Sequence, residues 1–154
     1  MGSLSIQKGK RAERDVARRL NESLALVCGQ AGVPVARLQR NLKQVQQGGF
    51  DLDGLDWLAI EIKHHKQVSL GSWWAQTLRQ ATDEREPILI WKQHGGQWRV
   101  RMFSRLVIEQ GRLLRVVADI DWESFIVWFE KRAEVEIKKI AGDTFLVAEG
   151  LFGP

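Results

Sequence analysis

An apolar strand that ends in charge is hard to fit into an arbitrary fold, and this chain contains one. The stretch "FDLDGLDWLAIEIKHHK", Phe50 to Lys66, begins with a hairpin signal. Asp53-Gly54 favours a tight reversal because glycine adopts positive φ without steric cost, and Leu55 to Lys63 reads as the returning strand. Side chains alternate along a strand. Leu58, Ile60 and Ile62 therefore leave one face, and Trp57, Ala59, Glu61 and Lys63 leave the other. A strand entering a core should end in a carboxylate and an ammonium only where something is gained there.

The surrounding pattern supplies the rest of a domain. Ser5 to about Val27 carries Ala12, Val16, Leu20 and Leu24 at helical spacing, and "CGQAGVP" should stop that helix. "VARLQRNL" reads as a first strand, "KQVQQGG" as a polar connector, and Phe50 to Leu52 as a short strand. Gly71-Ser72 offers an N-cap for a helix through about Arg85, and Pro87 to Lys92 is apolar enough for a buried strand. "WRVRM" follows the "HGGQ" turn, a strand pair is expected around Gly111, and Asp121 should cap a last helix to about Ile140. The apolar tail "GDTFLVAEGLFGP" should pack on this chain or on a partner. This order predicts an α/β or α+β fold with a mixed central sheet flanked by helices, as a single domain over 1–154. Its core spans about 5–102, and a strand pair, helix and tail occupy about 103–154.

Charge and composition narrow the function. Residues 1–50 carry nine Lys or Arg against three acidic residues, so this third is +6 while the whole chain is +4. A basic flank beside carboxylates suits a protein that holds a polyanion. Lys8, Lys10, Arg11, Arg14, Arg40 and Lys43 are the expected phosphate contacts. No apolar run has the length of a membrane span, and the N-terminus lacks a signal-peptide core. The lone Cys28 cannot form an internal disulfide, which suits a reducing cytosol, and reads as a buried small hydrophobe; no membrane partner and a cytoplasmic location are expected.

Glu61 and Lys63 share a face at a strand end, where both can approach one reacting group. Asp51 on the neighbouring strand can bring a second carboxylate. Two acidic donors are a typical hold for Mg²⁺, which substrate phosphates complete. Such a metal acidifies water and offsets phosphate charge, while the lysine orients the water or stabilises the transition state. Pairing parity sets a condition. A strict two-residue turn would put Asp51 on the Ile60 face, so a three-residue connection (Asp53-Gly54-Leu55) or an equivalent kink is expected, with Asp51 opposite Trp57. Asp53 and Asp56 remain alternative acidic ligands. Trp73 and Trp74 could stack on bases, although one is expected in the core and the other at an interface. His64, His65 and His94 read as exposed.

Asp51, nine residues, then Glu61-Ile62-Lys63 resembles the core of the PD-(D/E)XK nuclease superfamily, with Phe50 in place of the nominal proline. The opening "KGKRAERDVARRL" is similar to the first helix of archaeal-type Holliday junction resolvases and related phage nucleases. The resemblance covers roughly residues 8–92 and implies a restriction-endonuclease-like core. It implies catalytic roles for Glu13, Asp51, Glu61, Lys63 and Gln76. The metal would be held by Asp51, Glu61, the Ile62 backbone carbonyl and, through water, Glu13. The implied function is a metal-dependent, structure-selective endodeoxyribonuclease that cuts DNA four-way junctions as a homodimer. Mg²⁺ is the expected cofactor, with Mn²⁺ as substitute, in a bacterial or phage-infected cytosol. Two rivals stand beside it: a nicking or restriction-like nuclease without junction preference, and a DNA-binding module of the same fold that does not cut.

Overall fold

Helix α1 (Gly2–Ala31) buries Ala12, Val16, Leu20, Leu24 and Val27 along one stripe. The computed structural model describes residues 2–43, 49–82 and 84–150. The helix runs past the expected stop because one glycine, Gly29, costs only about 1 kcal/mol in a helix. It ends where Gly32 takes φ of 68°, letting Val33 N–H bond back to Cys28 O at 3.1 Å. Cys28 is buried, as expected.

Strand β1 is only Gln39–Arg40, much shorter than the strand expected from "VARLQRNL". The cause is Asn21. Its side-chain amide donates to Leu38 O at 2.9 Å and accepts from Leu38 N–H at 2.8 Å, so it satisfies the backbone that a longer strand would have paired. The polar connector lies mostly at 44–48, outside the described residues.

Strand β2 (Leu52–Asp53) pairs antiparallel with β1 and with β3 (Leu58–His65), placing Leu52 opposite Ile60. The connection is therefore Gly54–Trp57, not the expected three residues, and Asp51 lies level with Glu61 rather than Trp57. The offset remains even, so Asp51 falls on the Glu61 face. The longer loop arises because Leu55 drops into the core, while Arg85 clamps the Leu55 and Leu58 carbonyls at 3.0 Å each. Gly54, at φ of 122°, holds the loop against β1; an added Cβ would stand 2.2 Å from Arg37 O. Gly54→Ala should cost about 2 kcal/mol or more. The check is its urea midpoint against wild type, and an unshifted midpoint would show that the loop moves aside freely.

Helix α2 (Leu70–Gln80) crosses from β3 to the parallel strand β4 (Glu86–Gln93). It starts behind Ser69, not at Ser72, whose hydroxyl instead donates to Ser69 O. It stops five residues before the expected end because Ala81 is extended, which frees Arg85 for its carbonyl clamp. Strand β5 (Arg99–Glu109) is one continuous strand, not the two short ones expected, since nothing between Met102 and Leu106 breaks it. It turns at Gly111 into β6 (Arg112–Asp121). Asp121 caps α3 (Trp122–Gly150) by accepting Ser124 N–H at 2.7 Å. The helix runs ten residues beyond Ile140 and takes in much of the apolar tail; residues 151–154 lie outside the described residues.

The chain is thus α+β, with three helices and a six-stranded mixed sheet in the order β1-β2-β3-β4-β5-β6 among the described residues. Helices α1 and α3 cover one face through a core containing Ile60, Ile62, Ile88, Phe125 and Phe129. Helix α2 covers the other, packing Trp73 and Trp74 on Leu89. The two tryptophans were expected to divide between core and interface, yet both are buried here. Among the described residues no helix is long and apolar enough to cross a membrane.

Candidate active site

The candidate site is built around the C-terminal half of β3. Glu61 leaves the sheet toward α2 and is only 1% exposed. Lys63, two residues on and so on the same face, sets its Nζ 2.6 Å from Glu61 Oε1. Gln76, inward-facing on α2, donates to the same oxygen at 2.8 Å. Asp51 approaches from the β2 side. Its N–H donates to Ile60 O at 2.8 Å, and its Oδ2 accepts Ile62 N–H at 2.6 Å. The carboxylate takes the place of the next backbone carbonyl where the β2 ladder ends. The N–H and C=O of one strand residue point to the same neighbour. The Ile62 carbonyl therefore faces this same edge, next to Asp51.

Burial is the largest influence on Glu61 and pushes its pKa up. Lys63 draws it down, the negative charge of Glu13 raises it, and the Gln80 amide lowers it. Gln80 stands one turn beyond Gln76, at the i+4 spacing that puts both amides on one helix face. Three buried side-chain atoms lack a hydrogen-bond partner among the described residues: Glu61 Oε2, Gln80 Oε1 and Trp91 Nε1. All three belong to the α2 side of the sheet, and Trp91 is the register neighbour of Lys63 on β4. Two of them are acceptors around one desolvated carboxylate, an arrangement that calls for a cation or a strong donor.

Asp51, Glu61 and the Ile62 carbonyl are oxygen donors of the kind that could hold Mg²⁺. Among the described residues no three His, Cys, Asp or Glu side chains converge into a closed cage. Two carboxylates and a backbone carbonyl at a strand edge form the open oxygen set that Mg²⁺ accepts, the remainder of its shell being water and substrate. Glu61 Oε2 is the atom with coordination capacity to spare. Glu13, expected to reach the metal through water, is instead paired with the Arg40 guanidinium, although its charge is felt at Glu61. Arg40 in turn is engaged by that carboxylate and not held out for phosphate.

The other expected cations divide by position. Lys10 and Lys43 are exposed. Arg14 lines a cleft with Arg37 and Arg40. Lys8 and Arg11 line another with His64, Lys92 and His94. His64 is half-buried, contrary to the exposed position expected; His65 is exposed and lies 5.3 Å from the Trp73 ring. Asp53, at the end of β2, and Asp56, on the loop, are exposed, whereas Asp51 is buried level with Glu61, which favours Asp51 among the three. Gln80 carried a sequence signal in its spacing from Gln76. Trp91 carried none, because it meets Lys63 only through strand register. The chain matches no protein-family model, no curated protein and no solved structure.

Proposed function

We propose that this chain is a Mg²⁺-dependent endodeoxyribonuclease selective for branched DNA, with a restriction-endonuclease-like core and four-way junctions as its substrate. The observation that carries the chemistry is Glu61: a carboxylate 1% exposed, one oxygen held by Lys63 and Gln76 and the other without a donor among the described residues. Mg²⁺ held by Asp51, Glu61 and the Ile62 carbonyl would supply charge against the phosphate and acidity to a water. Lys63 would turn from Glu61 Oε1 to a phosphate oxygen as negative charge grows there. Gln76 keeps Glu61 in its rotamer during that exchange. In the reaction, a water oxygen bonds to phosphorus, the water loses a proton, and one ester bond breaks, its alkoxide taking up a proton. The sheet and α2 keep bulk water from Glu61, which strengthens each of these electrostatic contacts.

Selectivity for junctions rests on the resemblance of the Lys8–Leu20 helix and the Asp51, Glu61, Lys63 spacing to junction resolvases. Two matched cuts need two sites, so the active species is a homodimer. Exposed apolar side chains at the β5–β6 hairpin, Leu106, Val107, Leu113 and Leu114, and on α3, Val127, Val135 and Ile140, give a second copy apolar surface to cover. The cytosol of a bacterium or phage-infected cell is the setting that fits.

Cleavage of a labelled four-way junction beside a matched linear duplex, with Mg²⁺ or EDTA, tests this. Paired symmetric nicks in the junction alone, lost with EDTA, are the expected result. Equal cutting of both substrates would move the function to a general nicking nuclease. Tight, salt-dependent binding without cutting would leave a DNA-binding module.

A further inference from the structure

A cleft of about 520 Å³ opens at the C-terminal ends of β3 and β4, on the face of β3 opposite Glu61. Its size lies within the usual range of ligand sites, about 300–1,000 Å³. Lys8, Arg11, His64, Lys92, His94 and Trp98 line it, and Asp15 is the only carboxylate among its described lining residues. That carboxylate is already occupied: it accepts from Arg18 at 3.0 Å, Arg19 at 3.2 Å and Trp98 Nε1 at 3.1 Å. Among the described residues Lys8, Arg11 and Lys92 form no salt bridge. Three cations and two imidazoles therefore face one concave surface, and the one carboxylate among its described lining residues is already engaged by Arg18, Arg19 and Trp98.

The group is held in shape. The Lys92 ammonium lies over the Trp98 ring, 4.7 Å from its centroid, and the Asp15 bond fixes that ring. The His64 ring meets His94 edge-on at 4.8 Å. Imidazole N–H groups beside the cations offer further donors to an anion. Neither Lys92, His64, His94 nor Trp98 contributes to the carboxylate site.

We propose that this cleft is a second phosphate site, holding a backbone phosphodiester of bound DNA on the far side of β3 from the bond that is cut. Lys63 and His64 are adjacent in the chain, with Cα atoms about 3.8 Å apart, so the two sites straddle one strand end. Lys10 and Arg14, exposed on the same helix as Lys8 and Arg11, continue the positive surface away from the cleft. A polyanion bridging these positions gains from counterion release at each contact. DNA as the ligand is taken from the proposed function, but binding here needs neither metal nor cleavage.

The test is anisotropy titration of a labelled junction in EDTA over a series of salt concentrations. Lys92→Gln keeps an alkyl stem on Trp98 and removes one charge. It should lower the slope of log affinity against log salt by about one unit and weaken binding several-fold. Lys8→Gln, at an exposed position, should do the same. Lys138→Gln on α3, a change of equal charge outside the cleft, should leave both unchanged. Slopes for Lys92→Gln and Lys8→Gln equal to that of Lys138→Gln would overturn the proposal. So would inorganic phosphate binding to wild type in the micromolar range and lost in Lys92→Gln, which would make the ligand a free phosphate. An uncut junction that still shows the slope difference would remove the nuclease and keep the cleft. A cut junction with no slope difference would do the reverse.

Discussion

Glu61→Gln should abolish Mg²⁺-dependent cleavage and leave a protein at least as resistant to urea as wild type at neutral pH. The activity side follows from charge. An amide keeps the shape and the Gln76 contact but is a poor metal ligand. The several kcal/mol of transition-state stabilisation that a metal provides correspond to a loss of about a thousandfold. The stability side follows from the raised pKa of Glu61. A carboxylate harder to ionise folded than unfolded holds its proton longer in the native state. Stability then falls as pH rises from the ordinary value of 4.5 through the folded value. Glutamine removes that slope. Over a pH series, the wild-type urea midpoint should fall through this window relative to that of Glu61→Gln. Added Mg²⁺ should raise the wild-type midpoint alone, by mass action on the native state. Full cleavage by Glu61→Gln would end the metal-site reading.

Lys63→Met should also remove cleavage, by roughly a hundred- to a thousandfold, the usual cost of losing one donor aimed at developing charge. Junction affinity in EDTA should change little, because one cation among many contacts the polyanion. Its effect on stability runs opposite to that of Glu61→Gln. The Glu61 carboxylate would keep its burial and lose its nearest cation, for a cost of about 1–3 kcal/mol at neutral pH. With the pKa of Glu61 raised further, the deficit should shrink as pH falls and Glu61 takes a proton. Mg²⁺ should relieve it as well, by restoring positive charge at Glu61. Urea midpoints with and without Mg²⁺ check this, beside single-turnover cleavage. A Lys63→Met variant as stable as wild type would mean that Lys63 is not the counter-charge of Glu61.

Local patterns carried much of this fold. The stripe from Ala12 to Leu24, the alternation of Leu58, Ile60 and Ile62, the Asp121 cap and the inward Gln76 all rest on spacing within one element, which sequence displays directly. Parity also carried far: Asp51 could reach the Glu61 face only through an even offset. The size of that offset was hidden, because it depends on Leu55 entering a core assembled from distant elements and on Arg85 clamping two carbonyls. Asn21 shortening β1 and Arg40 engaging Glu13 are encounters across many residues of chain. The acidic and basic residues of the site were legible as types; which cation each carboxylate meets was not.

Strand β2 has two residues and pairs with β3 through Leu52 alone. So small an element is a candidate to open on its own, well below the free energy of global unfolding. Were it to lift, Asp51 would leave Ile62, and the proposed metal set would come apart while the sheet behind it stayed folded. The site would then exist as a population and not as a fixed cavity. Whatever binds across Asp51 and Glu61 would close that equilibrium, so a ligand at the strand edge would double as the clasp that holds β2 down.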